Sequence, residues 1–309
     1  MWGPSMNSDR KKLVVTGASG FLGSHLVERL KDDGRFAVFA LSSQAEALQR
    51  RIGGGNIEYL HRDALLDERA GSIVPGAIIV NCAYPRASTG TAIAGGLEYI
   101  RGVFEAAVDN GARAIVNISS QSVYSPQRTE AATERTPVSL ESPSAVGKYA
   151  VELMLESICR NRDTAYTSIR MASLIGPGFD QRIVNRFVKQ ALETGRLSVK
   201  RNEQRFGFLD IRDAVDGLVA MLGSEVCPWQ PVYNLGGKGT YTLVEIAETV
   251  KNVVEGSHKA VQVAVIEGEE MSNSEIDGQL YASTFGYEAR YSLADSVRWI
   301  VAHFCRGYS

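Results

Sequence analysis

Short, unbroken apolar blocks recur along the first half of the chain. Between them lie stretches in which apolar residues return every three or four positions. The blocks are Leu13-Val14-Val15-Thr16, Phe36 to Leu41, Ile57 to Leu60, Ala77 to Val80, Ala114 to Ile118 and Ala165 to Ile169. Blocks of that length, apolar on both faces, read as strands covered on both sides. The intervening segments read as helices. One runs from Phe21 to Leu30 and ends at Asp33-Gly34, one covers 92–109 and stops at Asn110-Gly111, and one covers about 144–160 behind a Pro-, Ser- and Thr-rich loop from Ser125 to Pro143. Alternating strands and helices predict an α/β fold, a Rossmann doubly wound parallel sheet over residues 11–175. After Gly176-Pro177-Gly178 helical patterns dominate, at Ile183 to Thr194, Ile211 to Leu222, Thr242 to Val254 and Ser292 to Phe304, separated by short strands. Residues 176–309 are therefore expected to form mainly a smaller C-terminal α/β substrate lobe, with a strand and helix from about 206–236 returning to the first domain. The opening Met1-Trp2-Gly3-Pro4-Ser5-Met6 has no apolar signal core and reads, through residue 10, as a disordered appended leader.

Composition narrows the function classes. The chain has 309 residues, 44% hydrophobic and 22% charged, with a formal net charge of −2. That charge gives no basic field for nucleic acid. The apolar blocks are far shorter than a membrane span, so no membrane is expected as a partner. Cys82, Cys159, Cys227 and Cys305 stand far apart without a CxxC pair, as expected of reduced thiols in a cytoplasmic protein. The four histidines are equally scattered, and no metal site is expected.

The first block runs directly into Thr16-Gly17-Ala18-Ser19-Gly20-Phe21-Leu22-Gly23. Glycines spaced GxxGxxG between a strand and a helix are what a diphosphate needs. Gly17 permits the tight turn, Gly20 lets backbone approach the phosphates, and Gly23 lets the helix pack on the sheet. The first helical residues, with Ser19, Phe21 and Leu22 among the binding set, present N–H groups and a positive dipole end. This predicts a nicotinamide dinucleotide, NAD or NADP. An acidic residue at the end of the second strand would grip a ribose 2′-hydroxyl, but here the strand ends in Ser42-Ser43, with Arg50 and Arg51 further on. The missing negative charge favours NADP over NAD.

With these motifs the sequence resembles the extended short-chain dehydrogenase/reductase family, in its nucleotide-sugar epimerase, dehydratase and ketoreductase branch. The resemblance runs from Val14 to about Val301. Beyond the glycine turn it rests on Arg62-Asp63, Asn81-Cys82-Ala83, Ser119-Ser120-Gln121-Ser122-Val123-Tyr124, Lys148 with Glu152, Arg170 to Gly178, Phe208 to Asp213, Val232 to Gly236 and Phe285-Gly286-Tyr287. It implies that Asp63, with Ala64 beside it, contacts the adenine and that Cys82 and Ala83 lie near the nicotinamide. Ser120 would bond the reacting sugar oxygen, and Lys148 would hold the nicotinamide ribose. Ser122, Ser173, Arg205 and Asn234 would face a nucleotide-diphosphate sugar. A homodimer through the helices near 92–109 and 144–160 is also implied.

The chain departs from the family pattern at several places. Dehydratases of the branch carry Asp-Glu where this chain has Gln121-Ser122, and an amide and a hydroxyl cannot share acid/base work near neutral pH. Dehydration is therefore not expected. Phe206 stands where an arginine usually meets the diphosphate, with Arg205 one step earlier, and Ser173 stands where asparagine is common. The largest departure is Ser144, which occupies the place of the catalytic tyrosine four residues before Lys148. A serine hydroxyl is less acidic than a phenol and shorter, so Ser144 would hold a water or fill space. Tyr149 should point elsewhere on the helix, and Tyr124 should be packed. Tyr84, with Arg86 close by, is the candidate to supply a phenol, against the plainer reading of a cleft-wall aromatic. Two functions stay open at this point. One is an NAD(P)-dependent 4-epimerase or ketoreductase acting by hydride transfer at a sugar carbinol carbon. The other is a catalytically lapsed dinucleotide-binding sensor or partner protein.

Overall fold

Leu13, Val14 and Val15 have no exposed surface, and the whole run from Phe36 to Ser42 is buried, so both faces of these strands are sealed. The computed structural model describes residues 10–85, 89–225, 229–256 and 260–307. The first elements are β1 (Lys11–Thr16), α1 (Phe21–Leu30), β2 (Phe36–Ser42), α2 (Ala45–Ile52), β3 (Ile57–His61), α3 (Ala70–Ile73), β4 (Ile78–Asn81), α4 (Gly90–Asp109), β5 (Ala114–Ser120), α5 (Pro143–Cys159) and β6 (Ala165–Met171). They are followed by β7 (Ser173–Ile175), α6 (Ile183–Thr194), β8 (Arg196–Asp210), α7 (Ile211–Gly223), β9 (Val232–Leu235), β10 (Thr240–Tyr241), α8 (Leu243–Glu255), β11 (Gln262–Asn273), α9 (Gln279–Phe285) and α10 (Leu293–Gly307).

Seven strands form one sheet in the order β3-β2-β1-β4-β5-β6-β9. The pairs β3-β2, β2-β1, β1-β4 and β4-β5 are parallel. The strand order reverses between β1 and β4, the switch point at which open α/β sheets bind ligands beyond the strand ends. A buried polar ladder ties four strands together near those ends. Thr16 Oγ1 donates to Asn81 Oδ1 (2.7 Å), Asn81 Nδ2 to Asn117 Oδ1 (3.0 Å), and Asn117 Nδ2 to Ser168 Oγ (3.2 Å). Each of these groups would be costly to bury alone, so the chain of bonds helps fix the strand register.

The chain divides into two compact units. The first comprises the described residues of Met1–Ser119, Leu140–Arg170 and Leu218–Tyr233. Its core joins Val14, Phe39 and Ile79 of the sheet to Ile100, Val103 and Phe104 of α4 and Val151 and Leu155 of α5. Ser142 caps α5 by accepting from Ala145 N (3.1 Å), and Pro143 takes the first turn, where its missing N–H leaves no bond unmade.

The second unit comprises Ser120–Ser139, Met171–Gly217 and the described residues of Asn234–Ser309. Its core packs α6, α8 and α10 with β8 through Val184, Val188, Leu197, Ile246, Val250 and Val297. Here the expectation of short strands is corrected. β8 has 15 residues and β11 has 12, and the two pair in parallel. The outer positions carry charge, including Lys200, Arg201, Glu203, Glu267 and Glu269, which breaks up the apolar signal. The register shifts once, where three residues of β11 between Glu267 and Met271 stand against one of β8 between Arg201 and Glu203.

Candidate active site

At the switch point, within the first unit, a cavity of about 700 Å³ opens beside the glycine turn. Its wall is made by Gly17, Ser19 and Gly20, by the end of β2 from Leu41 to Gln44, by Arg62, by Cys82 to Pro85 after β4, and by one face of α4. Gly17 has φ +62°, and a Cβ there would lie 2.7 Å from Ala83 backbone atoms. Only glycine allows the two loops to meet so closely. α1 starts at Gly20 with no side-chain cap, so no side chain competes for the N–H groups of its first turn. Such groups suit a diphosphate. Cradle, uncapped helix and cavity size together fit a dinucleotide.

The residues expected at the adenosine end are only partly brought to this wall. Ser42 is buried, and its Oγ accepts from Gln44 N (2.9 Å). Ser43 and Gln44 are exposed, and among the described residues no carboxylate lines the cavity. Arg50 is exposed and 3.9 Å from Glu46, Arg51 is exposed, and neither reaches the wall. Asp63 lies off the wall, against His61 and Arg62 (each 3.3 Å), and Ala64 is core. Among the described residues, the basic one on the wall is Arg62. Its guanidinium lies 4.0 Å from the centre of the Tyr99 ring, and Tyr99 Oη donates to Arg62 O (2.8 Å). The sequence signal for Arg62 is the Arg62-Asp63 motif, in which Asp63 is the expected ligand contact. Phe21 meets His25 edge-on and Leu22 is buried, and neither lines the cavity wall.

Around Lys148 the site gathers titratable groups. Lys148 Nζ donates to Ile118 O (2.7 Å) and sits 4.3 Å from the centre of the Tyr84 ring. Burial lowers its pKa to about 8, against the pull of Cys82 and Glu152. Burial likewise pushes the Cys82 thiol up to about 12, with Lys148 opposing it, and raises the Tyr84 phenol. Tyr84 Oη donates to the backbone carbonyl of Ser144 (3.1 Å). Ser144 thus meets the phenol through its main chain. Lys148 stands one turn before Glu152, whose carboxylate accepts from Ser119 Oγ and from Arg170 Nη2 (2.6 Å) and Nε (3.1 Å). Arg86 and Cys227 lie outside the described residues.

In the second unit the expected substrate residues take different places. Ser120 Oγ accepts from Ser122 N (3.1 Å), capping the turn over 121–123. Asn234 is corrected from the ligand-facing role. It has no exposed surface, its amide accepts from Tyr124 Oη (2.8 Å) and donates to Ala132 O (2.8 Å), and its N–H reaches Glu134 (2.7 Å). Tyr124 is correspondingly packed. Ser173 begins β7 and pairs with Phe208. Arg205 is exposed within the ladder of β8, opposite Asn273, while Phe206 stacks on Phe208 at 6.1 Å. Successive strand residues face opposite sides. Arg205 therefore cannot replace a contact from the Phe206 position by a small loop shift.

The chain matches the NAD dependent epimerase/dehydratase family over residues 13–236. It is 26% identical over 276 residues to UDP-glucuronic acid decarboxylase 3 of Arabidopsis thaliana, covering 83% of this chain and 77% of that protein. It is 28% identical over 272 residues to UDP-glucuronic acid decarboxylase 1 of Xenopus tropicalis, covering 80% and 61%. Its fold is similar to that of the UDP-glucuronic acid 4-epimerase from Bacillus cereus in complex with NAD, with TM-score 0.82, 20% identity, and 96% and 100% of the two chains covered. A similar fold occurs in UDP-N-acetylglucosamine 4-epimerase from Bacillus cereus, with TM-score 0.79, 22% identity, and 96% and 97% covered. With the glycine turn, the switch-point cavity and the lysine helix all inside the matched span, this chain belongs to the NAD-dependent epimerase/dehydratase family.

Proposed function

We propose that this chain is an NAD(P)-dependent enzyme acting on a nucleotide-diphosphate sugar, as a 4-epimerase or a ketoreductase. The observation that carries the reading is the crevice where Gly17 lets the β1 turn touch the loop after β4, with an uncapped helix start beside it. Relatives and fold neighbours named for UDP-sugars support the substrate class. The family match also favours a working enzyme over a lapsed sensor.

When bound, the dinucleotide supplies the hydride acceptor and donor. The protein does the rest. The turn at Gly17, Ser19 and Gly20 holds the diphosphate, and Lys148 orients the nicotinamide ribose. Ser120, already accepting from Ser122, keeps its own hydroxyl proton available for the reacting sugar oxygen. We place NADP ahead of NAD, because Arg62 is on the wall and, among the described residues, no carboxylate is there to repel a 2′-phosphate. A homodimer is proposed through α4 and α5, where Val146 and Leu153, each 49% exposed and two helical turns apart, share an outer face.

Calorimetry with each dinucleotide tests binding. Incubation with UDP-, GDP- and dTDP-hexoses, followed by NMR of the sugar products, tests turnover. Epimer formation or ketosugar reduction is expected. Absence of heat with both dinucleotides would overturn the reading.

A further inference from the structure

Hydride exchange at a carbinol carbon requires a proton to move at the attached oxygen. Among the described residues, the titratable side chains on the cavity wall are Arg62, Cys82, Tyr84 and Tyr99. Arginine stays charged. Tyr99 gives its hydroxyl to Arg62 O. Burial raises both the Cys82 thiol, to about 12, and the Tyr84 phenol, and of the two it is the phenol whose proton is directed by a hydrogen bond, to Ser144 O. Tyr84 remains, and its ring lies against the Lys148 ammonium.

The placement of Tyr84 is built rather than incidental. Three consecutive residues of the loop after β4 each nest on a glycine of a different element. Ala83 sits on Gly17 of the phosphate turn, where a Cβ would come within 2.7 Å. The Tyr84 hydroxyl sits on Gly147 of α5, where a Cβ would lie 2.4 Å from Oη. Pro85 sits on Gly96 of α4, where a Cβ would lie 2.1 Å from the proline ring. Any larger residue at these positions pushes the loop outward. The loop is thus fixed from three sides, with the phenol held between Ser144 O and Lys148.

We propose that Tyr84 is the proton carrier of this site, delivered from the loop after β4 to the helix that carries Lys148. The proposal rests on the nicotinamide-dependent reading above. In the reducing direction the Tyr84 O–H bond breaks as a new O–H bond forms on the substrate carbonyl oxygen. The electron pair for the new C–H bond comes as hydride from the reduced dinucleotide. The phenolate left on Tyr84 has the Lys148 ammonium over the face of its ring, and the oxidising direction returns the proton to the phenolate oxygen. In the cofactor-free protein the phenol is neutral and donates to Ser144 O, so a substrate oxygen has to replace that carbonyl as its acceptor.

The test combines Tyr84→Phe, Gly147→Ala and Lys148→Met with two readouts. In turnover assays Tyr84→Phe is expected to lower kcat by about 100-fold to 10,000-fold, the range for a positioned acid or base, with KM little changed. Its calorimetric affinity for dinucleotide should stay within about threefold of the parent chain. The second readout needs no cofactor. With 13Cζ-labelled tyrosine, the resonance lost in Tyr84→Phe identifies Tyr84. That resonance should shift in Gly147→Ala and, as the cation leaves the face of the ring, in Lys148→Met below pH 8. A Tyr84→Phe enzyme with turnover within threefold of the parent, or a Tyr84 resonance indifferent to both other substitutions, overturns the proposal. Failure of the parent chain to bind either dinucleotide would instead sink the underlying function, and the resonance shifts would still decide whether Tyr84 is held at Gly147 and Lys148.

Discussion

Replacing Arg170 with methionine should destabilise this protein by about 3 kcal/mol, the low end of the range for breaking a buried ion pair. The side chains of Arg170 and Glu152 are only 6% and 5% exposed, so water cannot take over the lost partner. Arg170 supplies bonds of 2.6 Å from Nη2 and 3.1 Å from Nε, and without them the carboxylate keeps Ser119 Oγ. That remaining bond to a charged acceptor, worth about 1.5–3 kcal/mol, is the reason for choosing the lower end. Adding Glu152→Gln removes the stranded charge, and the double variant should recover about 1–2 kcal/mol relative to Arg170→Met alone. Urea unfolding followed by circular dichroism measures both, with an unchanged m-value showing that the denatured state is not the cause. Because Glu152 stands one turn beyond Lys148, dinucleotide affinity should weaken along with stability. A loss below about 1 kcal/mol, or strict additivity of the two substitutions, would refute the assignment of Glu152–Arg170 as the anchor of α5.

Other consequences can be checked separately. Gly17→Ala should cost about 1–2 kcal/mol for the left-handed backbone alone, more with the clash at Ala83, and should abolish dinucleotide binding. Gly34→Ala, which meets nothing within 4 Å, should leave the melting temperature nearly unchanged. Lys148 titrates near 8 when folded against 10.5 for an ordinary lysine, so from pH 8 to 10.5 the unfolded chain binds the extra proton. Stability should therefore rise across that window, and Lys148→Met should flatten the rise in pH-dependent unfolding. Arg62→Ala should raise the Kd for NADPH by about tenfold and that for NADH much less, measured by fluorescence titration. Leu153→Arg should convert a dimer to a monomer in light scattering, and an unchanged mass would refute the α4–α5 interface.

Much of the first unit was legible because its strands are apolar on both faces, a pattern that few other structures share. The predicted helix of Ile183–Thr194 matches α6 residue for residue. Local geometry that depends on one segment was legible too, as in the left-handed backbone of the glycine turn at Gly17. What escaped were contacts between distant segments. Tyr84 and Ser144 are 60 residues apart, and Gly147 shows in the sequence only as a small residue inside a helix. Within the Arg62-Asp63 motif the resemblance gives the ligand role to Asp63, and nothing local shows that Arg62 is the one turned to the cavity, where it packs on Tyr99. β8 and β11 escaped because a half-buried strand with alternating charge resembles a loop.

The irregularity between β8 and β11 has a parity. β11 takes two extra residues there, an even number, so the side chains before and after it keep their original sides of the ribbon. One extra residue would have turned every later side chain over, sending Asn273 and its neighbours outward in place of their partners. Insertions and deletions in this ribbon should therefore be tolerated in twos, while odd changes should scramble the face on which Phe206 and Phe208 lie.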